Sequence, residues 1–181
     1  LVSDFEGIIY EGELSEINQT NAFVSLKKIY KQEDTSLSQI IIAISPTQQM
    51  DRFEWFVEKA VESGVHKIVP IICKRTENSK IKSERLSRIV SSSAKQTLRP
   101  LKPEITEIIG FKEYVEQNEL PSQRFIAHCE SDSKLFLGTA YNAKDPAVVL
   151  IGPAGDFTLE EIRLAKIHDY KPVSLGDYRL R

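Results

Sequence analysis

Five short apolar runs, at residues 40–44, 67–73, 124–129, 147–151 and 172–175, are separated by longer stretches whose apolar residues recur at helical spacing. Strands spaced by helices cannot be joined as hairpins, so the pattern predicts a mainly parallel α/β sheet with helices on both faces. Phe53, Phe56, Val57, Ala60 and Val61 mark the apolar face of a first helix, with Gly64 as its stop. A second helix is expected from about Glu84 to Leu98, ended by Pro100, a third near Ile105 to Gln117, and a fourth from Thr158 to His168.

Residues 1–33 follow a different rule. Gly7-Ile8-Ile9-Tyr10 and the run Ala22 to Leu26 read as strands, Asn18 to Asn21 as a turn, and the polar segment from Gln32 to Ser38 as a linker. Two or three strands cannot close a barrel, so 1–33 reads as the remnant of one and 34–181 as the main domain. The content of 41% hydrophobic and 28% charged residues is that of a soluble globular protein, and no apolar run reaches membrane length. Cys73 and Cys129 each end an apolar run and are expected to be buried, reduced thiols in a reducing compartment, most simply the cytoplasm. His66, His128 and His168 lack the spacing of metal ligands, and no metal is expected.

The chemistry concentrates near the end of the chain. The run Val148-Val149-Leu150-Ile151 opens into Gly152-Pro153-Ala154-Gly155-Asp156-Phe157, and the next strand opens into Ser174-Leu175-Gly176. These two loops are expected to leave neighbouring strands and to grip a ligand through backbone, because glycine permits sharp turns and close approach. Thr158 with Glu161 forms a capping-box pattern, and Asp156, Glu160 and Glu161 load that helix start with negative charge. A Walker loop or dinucleotide fingerprint instead aims an unopposed helix dipole at phosphate, so a zwitterionic or cationic ligand fits better here. Glu130, beyond the 124–129 run, stands where open α/β sheets place ligand contacts and is a candidate third wall; a surface carboxylate in an acidic turn is the plain alternative. Between Lys74 and Lys102, nine Lys and Arg stand against two Glu, a local +7 in a chain whose net charge is -2. Such a segment is a plausible phosphate-backbone footprint, the alternative being a solvated helix face.

Several of these stretches together resemble the RsmE-like 16S ribosomal RNA uridine-N3 methyltransferases of the SPOUT superfamily. The resemblance rests on residues 150–157, on Glu160-Glu161-Ile162, on Pro172-Val173-Ser174-Leu175-Gly176 and on Arg179-Leu180-Arg181. Ser45-Pro46 before Arg52-Phe53-Glu54, then Lys74-Arg75-Thr76, and Ala94-Lys95-Gln96 with Arg99 extend it over roughly residues 36–181. It implies a trefoil-knotted sheet, a preceding PUA-like β-barrel, a homodimer, S-adenosylmethionine as cofactor, and 16S rRNA of the small ribosomal subunit as substrate. Under it, Glu130, Leu150, Ile151, Gly152, Pro153, Ala154, Gly155, Ser174, Leu175, Gly176 and Leu180 are candidates for the cofactor site. Arg52, Lys74, Arg85, Arg88, Lys95 and Gln96 are candidates for RNA contact. Arg181, Arg99 and Arg75 are candidates for the cation that offsets charge on the uridine, although Arg75 and Arg99 could instead pair with Glu62 or Glu104. The family loop reads Gly-Pro-Glu-Gly-Gly, whereas this chain has Ala154 for the Glu and Asp156 for the last Gly. The family continues past the position of Arg181 into a knot helix, which the full-length protein is expected to supply together with the front of the barrel. Two competing readings are a catalytically impaired RNA-binding protein of the same fold and a nucleotide-dependent α/β enzyme.

Overall fold

The first residues build a small antiparallel sheet in the order β1 (Val2–Ser3), β2 (Ile8–Ile17), β3 (Ala22–Gln32). The structure, a computed structural model, describes residues 1–32, 39–130 and 133–176; the expected linker therefore lies mostly outside the described residues. Beyond it come β4 (Ile40–Ile44), α1 (Met50–Glu62), β5 (Lys67–Ile72), α2 (Ser83–Gln96), β6 (Glu104–Ile105), β7 (Ile109–Gly110) and α3 (Phe111–Val115). The chain continues through β8 (Gln123–Ala127), β9 (Leu135–Phe136), α4 (Leu137–Ala140), β10 (Ala147–Ile151), α5 (Leu159–Ile167) and β11 (Lys171–Ser174).

These strands form one sheet in the order β6-β5-β4-β10-β8-β11-β9, with β7 paired to the end of β5, and every pairing is parallel. The order corrects one expectation: β10 and β11 are not neighbours, because β8 lies between them and bonds to both. The crossover through α5 skips one strand, and the loop after β8 consequently lies between the two glycine-bearing loops. The third helix is also shorter than its apolar pattern suggested. Glu104 and Ile105 pair with Lys67 and Ile68, and Ile109 with Ile71, so backbone expected in the helix extends β5's edge instead.

Residues alternating along each strand separate two cores. Ala43, Val69, Ile71, Ile126, Val148 and Leu150 point to the side covered by α3 and α5, where Tyr114, Val115, Ile162, Ala165 and Tyr170 close over them. Ile44 and Ile68 point to the other side, against Phe53, Val57 and Val61 of α1 and Leu86, Val90 and Ala94 of α2. Helices thus cover both faces, as expected. On the second face Phe125, Val149 and Val173 form a separate patch under Leu137 and Ala140 of α4. The small sheet joins the domain at the amino ends of these strands: Gly7 N–H donates to the Pro100 carbonyl (3.2 Å), and Glu6 bridges to Leu101.

The two cysteines divide. Cys73 is buried, and burial together with the nearby Glu161 pushes its thiol up to about 12; Cys129, beyond the end of β8 at Ala127, is exposed rather than buried as expected. A thiol becomes reactive as its thiolate. Titration with a chromogenic disulfide near neutral pH should therefore release one equivalent quickly from the native protein and the second only after denaturation. Two fast equivalents would contradict the burial of Cys73.

Candidate active site

The carboxyl ends of β5, β4, β10, β8 and β11 lie side by side, and their loops are cross-tied by side chains. Ser45, 1% exposed, donates its N–H to the Ile151 carbonyl (3.0 Å) and shares a hydroxyl hydrogen bond with Thr76 (2.8 Å). Thr76 Oγ1 also accepts the Cys73 N–H at 2.8 Å, which ties the loop after β4 to the loop after β5.

The loop after β10 is a tight turn in which the Pro153 carbonyl accepts the Asp156 N–H (2.9 Å), with Ala154 and Gly155 at its corners. The residue in left-handed backbone here is Asp156 (φ 64), not Gly152 or Gly155, so of the two roles expected of these glycines a positive φ is not one that this turn uses. Asp tolerates that conformation better than most side chains because it bonds locally. Gly152 serves close packing instead, whereas Gly155 would admit a Cβ at ordinary contact distance. A Cβ on Gly152 would stand 3.0 Å from two carbons of the Phe157 ring, and one on Gly155 would stand 3.4 Å from Arg75 Cδ.

Two side chains hold this loop from opposite directions. Arg75 Nη1 donates to the Gly155 carbonyl at 2.6 Å and to that of Phe157 at 3.5 Å. Asp156 Oδ2 accepts the Cys129 N–H at 2.7 Å, and its Oδ1 accepts the Phe157 N–H at 2.8 Å. The expected capping box is present: Thr158 accepts the Glu161 N–H, and Glu161 Oε2 accepts the Thr158 N–H (2.8 Å). Glu161 Oε1 accepts the Lys74 N–H at 2.7 Å, while Lys74 Nζ lies 3.4 Å from Glu160. The positive end of α5 is thus already answered by carboxylates of its own chain, which removes it as a phosphate site. At the third loop, Ser174 Oγ accepts the Gly176 N–H (3.1 Å) and donates to the Gly176 carbonyl (2.9 Å), and Gly176 has φ +141, which favours glycine.

A family model for the RNA methyltransferase domain matches residues 33–181. The chain belongs to the RNA methyltransferase family. Among its relatives, the Ribosomal RNA small subunit methyltransferase E of Rickettsia conorii is 25% identical over 170 residues, covering 93% of this chain and 69% of its own length. The crystal structure of a probable rRNA-methyltransferase from Porphyromonas gingivalis matches 99% of this chain and 76% of its own, with a TM-score of 0.89 and 32% identity. That of a Ribosomal RNA small subunit methyltransferase E from Neisseria gonorrhoeae, bound to S-adenosyl methionine, matches 99% of this chain and 75% of its own, with a TM-score of 0.82 and 26% identity.

Within the RNA methyltransferase domain, the candidate cofactor residues Ile151, Gly152, Pro153, Ala154 and Gly155 share one loop region and Ser174, Leu175 and Gly176 another, with Glu130 exposed on the loop after β8, the strand between them. Leu150 is wholly buried, its side chain turned into the α3 and α5 core. Leu180 and Arg181 lie outside the described residues. Arg75 is at the loops. Arg99 is not: its Nη1 donates to the Val61 carbonyl (3.0 Å) near Gly64, and the following Leu101 to Glu104 segment leads to the amino end of β5. That is the opposite end of the sheet. Of the acidic partners considered for Arg75 and Arg99, Glu62 pairs with Lys59 at 2.9 Å and Glu104 with Lys67 at 3.1 Å.

The candidate RNA residues also spread out. Arg52 and Lys74 are exposed near the candidate cofactor loops, and Arg85 on α2 pairs with Glu54 of α1. Arg88 sits further along α2, 3.8 Å from Glu84, while Lys95 and Gln96 end that helix beside the small sheet. Of two clefts, one of about 370 Å³ lies away from the bracket of loops and one of about 330 Å³ adjoins the loops after β5 and β10. The larger is between residues 1–9 and the end of α2, and the other between Lys74, Phe111 and the start of α5. Sequence reading missed the cross-ties through Asp156 and through Ser45 with Thr76, since both join residues far apart in the chain. The one local signal was an Asp directly after glycine in a turn.

Proposed function

We propose that this chain methylates N3 of a specific uridine in 16S rRNA of the small ribosomal subunit, with S-adenosylmethionine as methyl donor. The observation that carries the reading is the convergence of three loops, after β10, β8 and β11, on one end of three adjacent strands. Among the described residues a Cβ on Gly176 would meet nothing within 4 Å, which leaves room beside the third loop. Residues 151–155 and 174–176, with Glu130 between them, suit a donor made of adenine, ribose and a zwitterionic amino acid, because no unopposed helix dipole demands phosphate. Bound there, S-adenosylmethionine supplies an already activated methyl group on a sulfonium.

The part left to the protein is positioning: main-chain groups fix the donor, the loops exclude water, and the target base leaves its stack to meet them. A cation beside the base lowers the cost of removing the N3 proton. Arg75 is committed to the Gly155 and Phe157 carbonyls, so its part is to hold the loop. The reading keeps Arg181 for the cation, on resemblance.

The same proposal extends to the assembly. It takes the sheet as a trefoil knot of the SPOUT type and the N-terminal sheet as part of a PUA-like barrel. The β2-β3 hairpin supports the barrel, since Leu14, Ile17, Phe23, Leu26 and Ile29 are each more than half exposed and call for a covering layer. It also takes the protein as a cytoplasmic homodimer, with Leu159, 54% exposed on α5, as part of the contact. Among the described residues no helix is long and apolar enough to cross a membrane. RNA is proposed to track along α2, whose exposed Arg85, Arg88 and Lys95 share one stripe about 15 Å long running from the loops to the small sheet.

Labelled methyl transfer from donor to small subunits of a strain lacking the modification, followed by nuclease digestion, tests the reaction. N3-methyluridine is the expected product, and its absence with intact, folded protein would overturn the proposal. Arg88→Glu should weaken RNA binding and lower the log-log salt slope by about 1 while leaving S-adenosylhomocysteine affinity unchanged. Equal loss of both would point to misfolding rather than to a lost phosphate contact.

A further inference from the structure

Asp156 is a non-glycine residue with φ 64, and both of its carboxylate oxygens are turned onto main-chain N–H groups. One of those groups belongs to its own loop at Phe157; the other belongs to Cys129, 27 residues earlier, on the loop that leaves the neighbouring strand β8. We propose that Asp156 is a positioning residue that sets the gap between the loop after β10 and the loop after β8, an inference that rests on reading those loops as the donor site. Arg75 draws the Gly155 carbonyl toward the loop after β5, and Asp156 draws the opposite side of the turn toward β8. The turn is thereby held between a cation and an anion of the protein before any ligand arrives. Cys129 directly precedes Glu130, so fixing its N–H fixes the entry to the middle wall of the bracket.

A carboxylate spent on two protein N–H groups acts through the loops it joins. Its loss therefore leaves more chain to be ordered when the donor binds, which weakens binding without altering the chemical step. In the intact protein, Asp156→Ala and Asp156→Gly should each raise the KM for S-adenosylmethionine and the calorimetric Kd for S-adenosylhomocysteine about tenfold, as expected for a lost charge-assisted hydrogen bond. The kcat should stay near that of the wild type. Asp156→Asn should recover only part of the affinity: Asn tolerates left-handed backbone, but its one amide oxygen can accept from Cys129 or from Phe157, and its NH2 must face the other N–H.

Glycine separates the link from the backbone conformation, because it adopts a positive φ without strain but has no carboxylate. Wild-type affinity in Asp156→Gly would overturn the proposal, as would a fall in kcat with KM unchanged. Amide hydrogen exchange supplies a readout independent of turnover: Cys129 N–H should be protected in the unliganded wild type and exchange faster in the Ala and Gly variants. Unchanged exchange at Cys129 would overturn the link itself. If the wild type failed to bind S-adenosylhomocysteine while exchange at Cys129 responded as expected, the donor-site reading would fall and, with it, the role assigned to the gap.

Discussion

Phe157→Ala should cost about 3–5 kcal/mol of folding stability and remove donor binding with it. The ring is 1% exposed, lies 5.4 Å from that of Phe111, and belongs to the same core as Leu150 and Ile162. It is also the floor of the loop after β10. Its backbone N–H is held by Asp156, and a Cβ on Gly152 would touch its edge. Truncation therefore opens a cavity and unseats the turn together. Urea denaturation gives the stability change, and calorimetry with S-adenosylhomocysteine at a temperature where the variant remains folded gives the second effect. A loss under about 1 kcal/mol would mean that the core closes over the gap, contrary to the tight packing seen at Gly152.

Gly152→Val should reach the same loop from the opposite direction. The first carbon of the new side chain would lie 3.0 Å from Cδ2 and Cε2 of Phe157 and 3.3 Å from its N, closer than settled packing allows. The ring cannot retreat freely because Phe111 stands against it. Overpacking should cost about 1–3 kcal/mol of stability, and the displaced loop should lower kcat/KM by about 100-fold, the order that a misplacement of about 1 Å can cost in rate. Gly155→Ala is the control, since its Cβ would meet only the flexible Arg75 chain, at 3.4 Å and beyond. If steric contact with the ring is the cause, Phe157→Leu should partly rescue Gly152→Ala, and the double-mutant cycle should show coupling; strict additivity would refute that cause.

Much of the sheet could be read from the chain because each strand carries its own apolar run and each long helix its own period. Ile40–Ile44 and Ala147–Ile151 coincide with their runs, and the α5 capping box depends only on Thr158 and Glu161, three residues apart. Strand order was not legible in the same way. Val148 and Val149 would be equally apolar beside any neighbour, so nothing local tells that β8 separates β10 from β11. The overlong third helix has a similar origin: Ile105 and Ile109 fit a helical stripe, but their β-branched side chains also suit the edge of β5, and pairing with Ile68 and Ile71 decides. Placing Arg99 near the site failed because α2 carries the chain back to the amino ends of the strands. A basic residue at one end of that helix lies a full helix length from one at the other.

The position of β10 has a consequence for how the molecule is made. It is inserted between β4 and β8, both of which emerge earlier during synthesis, so the centre of the sheet is laid down after its flanks. A direct pairing of β4 with β8 before that insertion would be non-native and would have to be undone, the kind of step that slows the folding of parallel sheets. The bracket of loops needs that insertion and the later addition of β11 to β8, because two of its walls are the loops that follow β10 and β11. With the donor site proposed for these loops, partly folded chains are unable to sequester the methyl donor, and acquisition of donor affinity reports completion of the sheet.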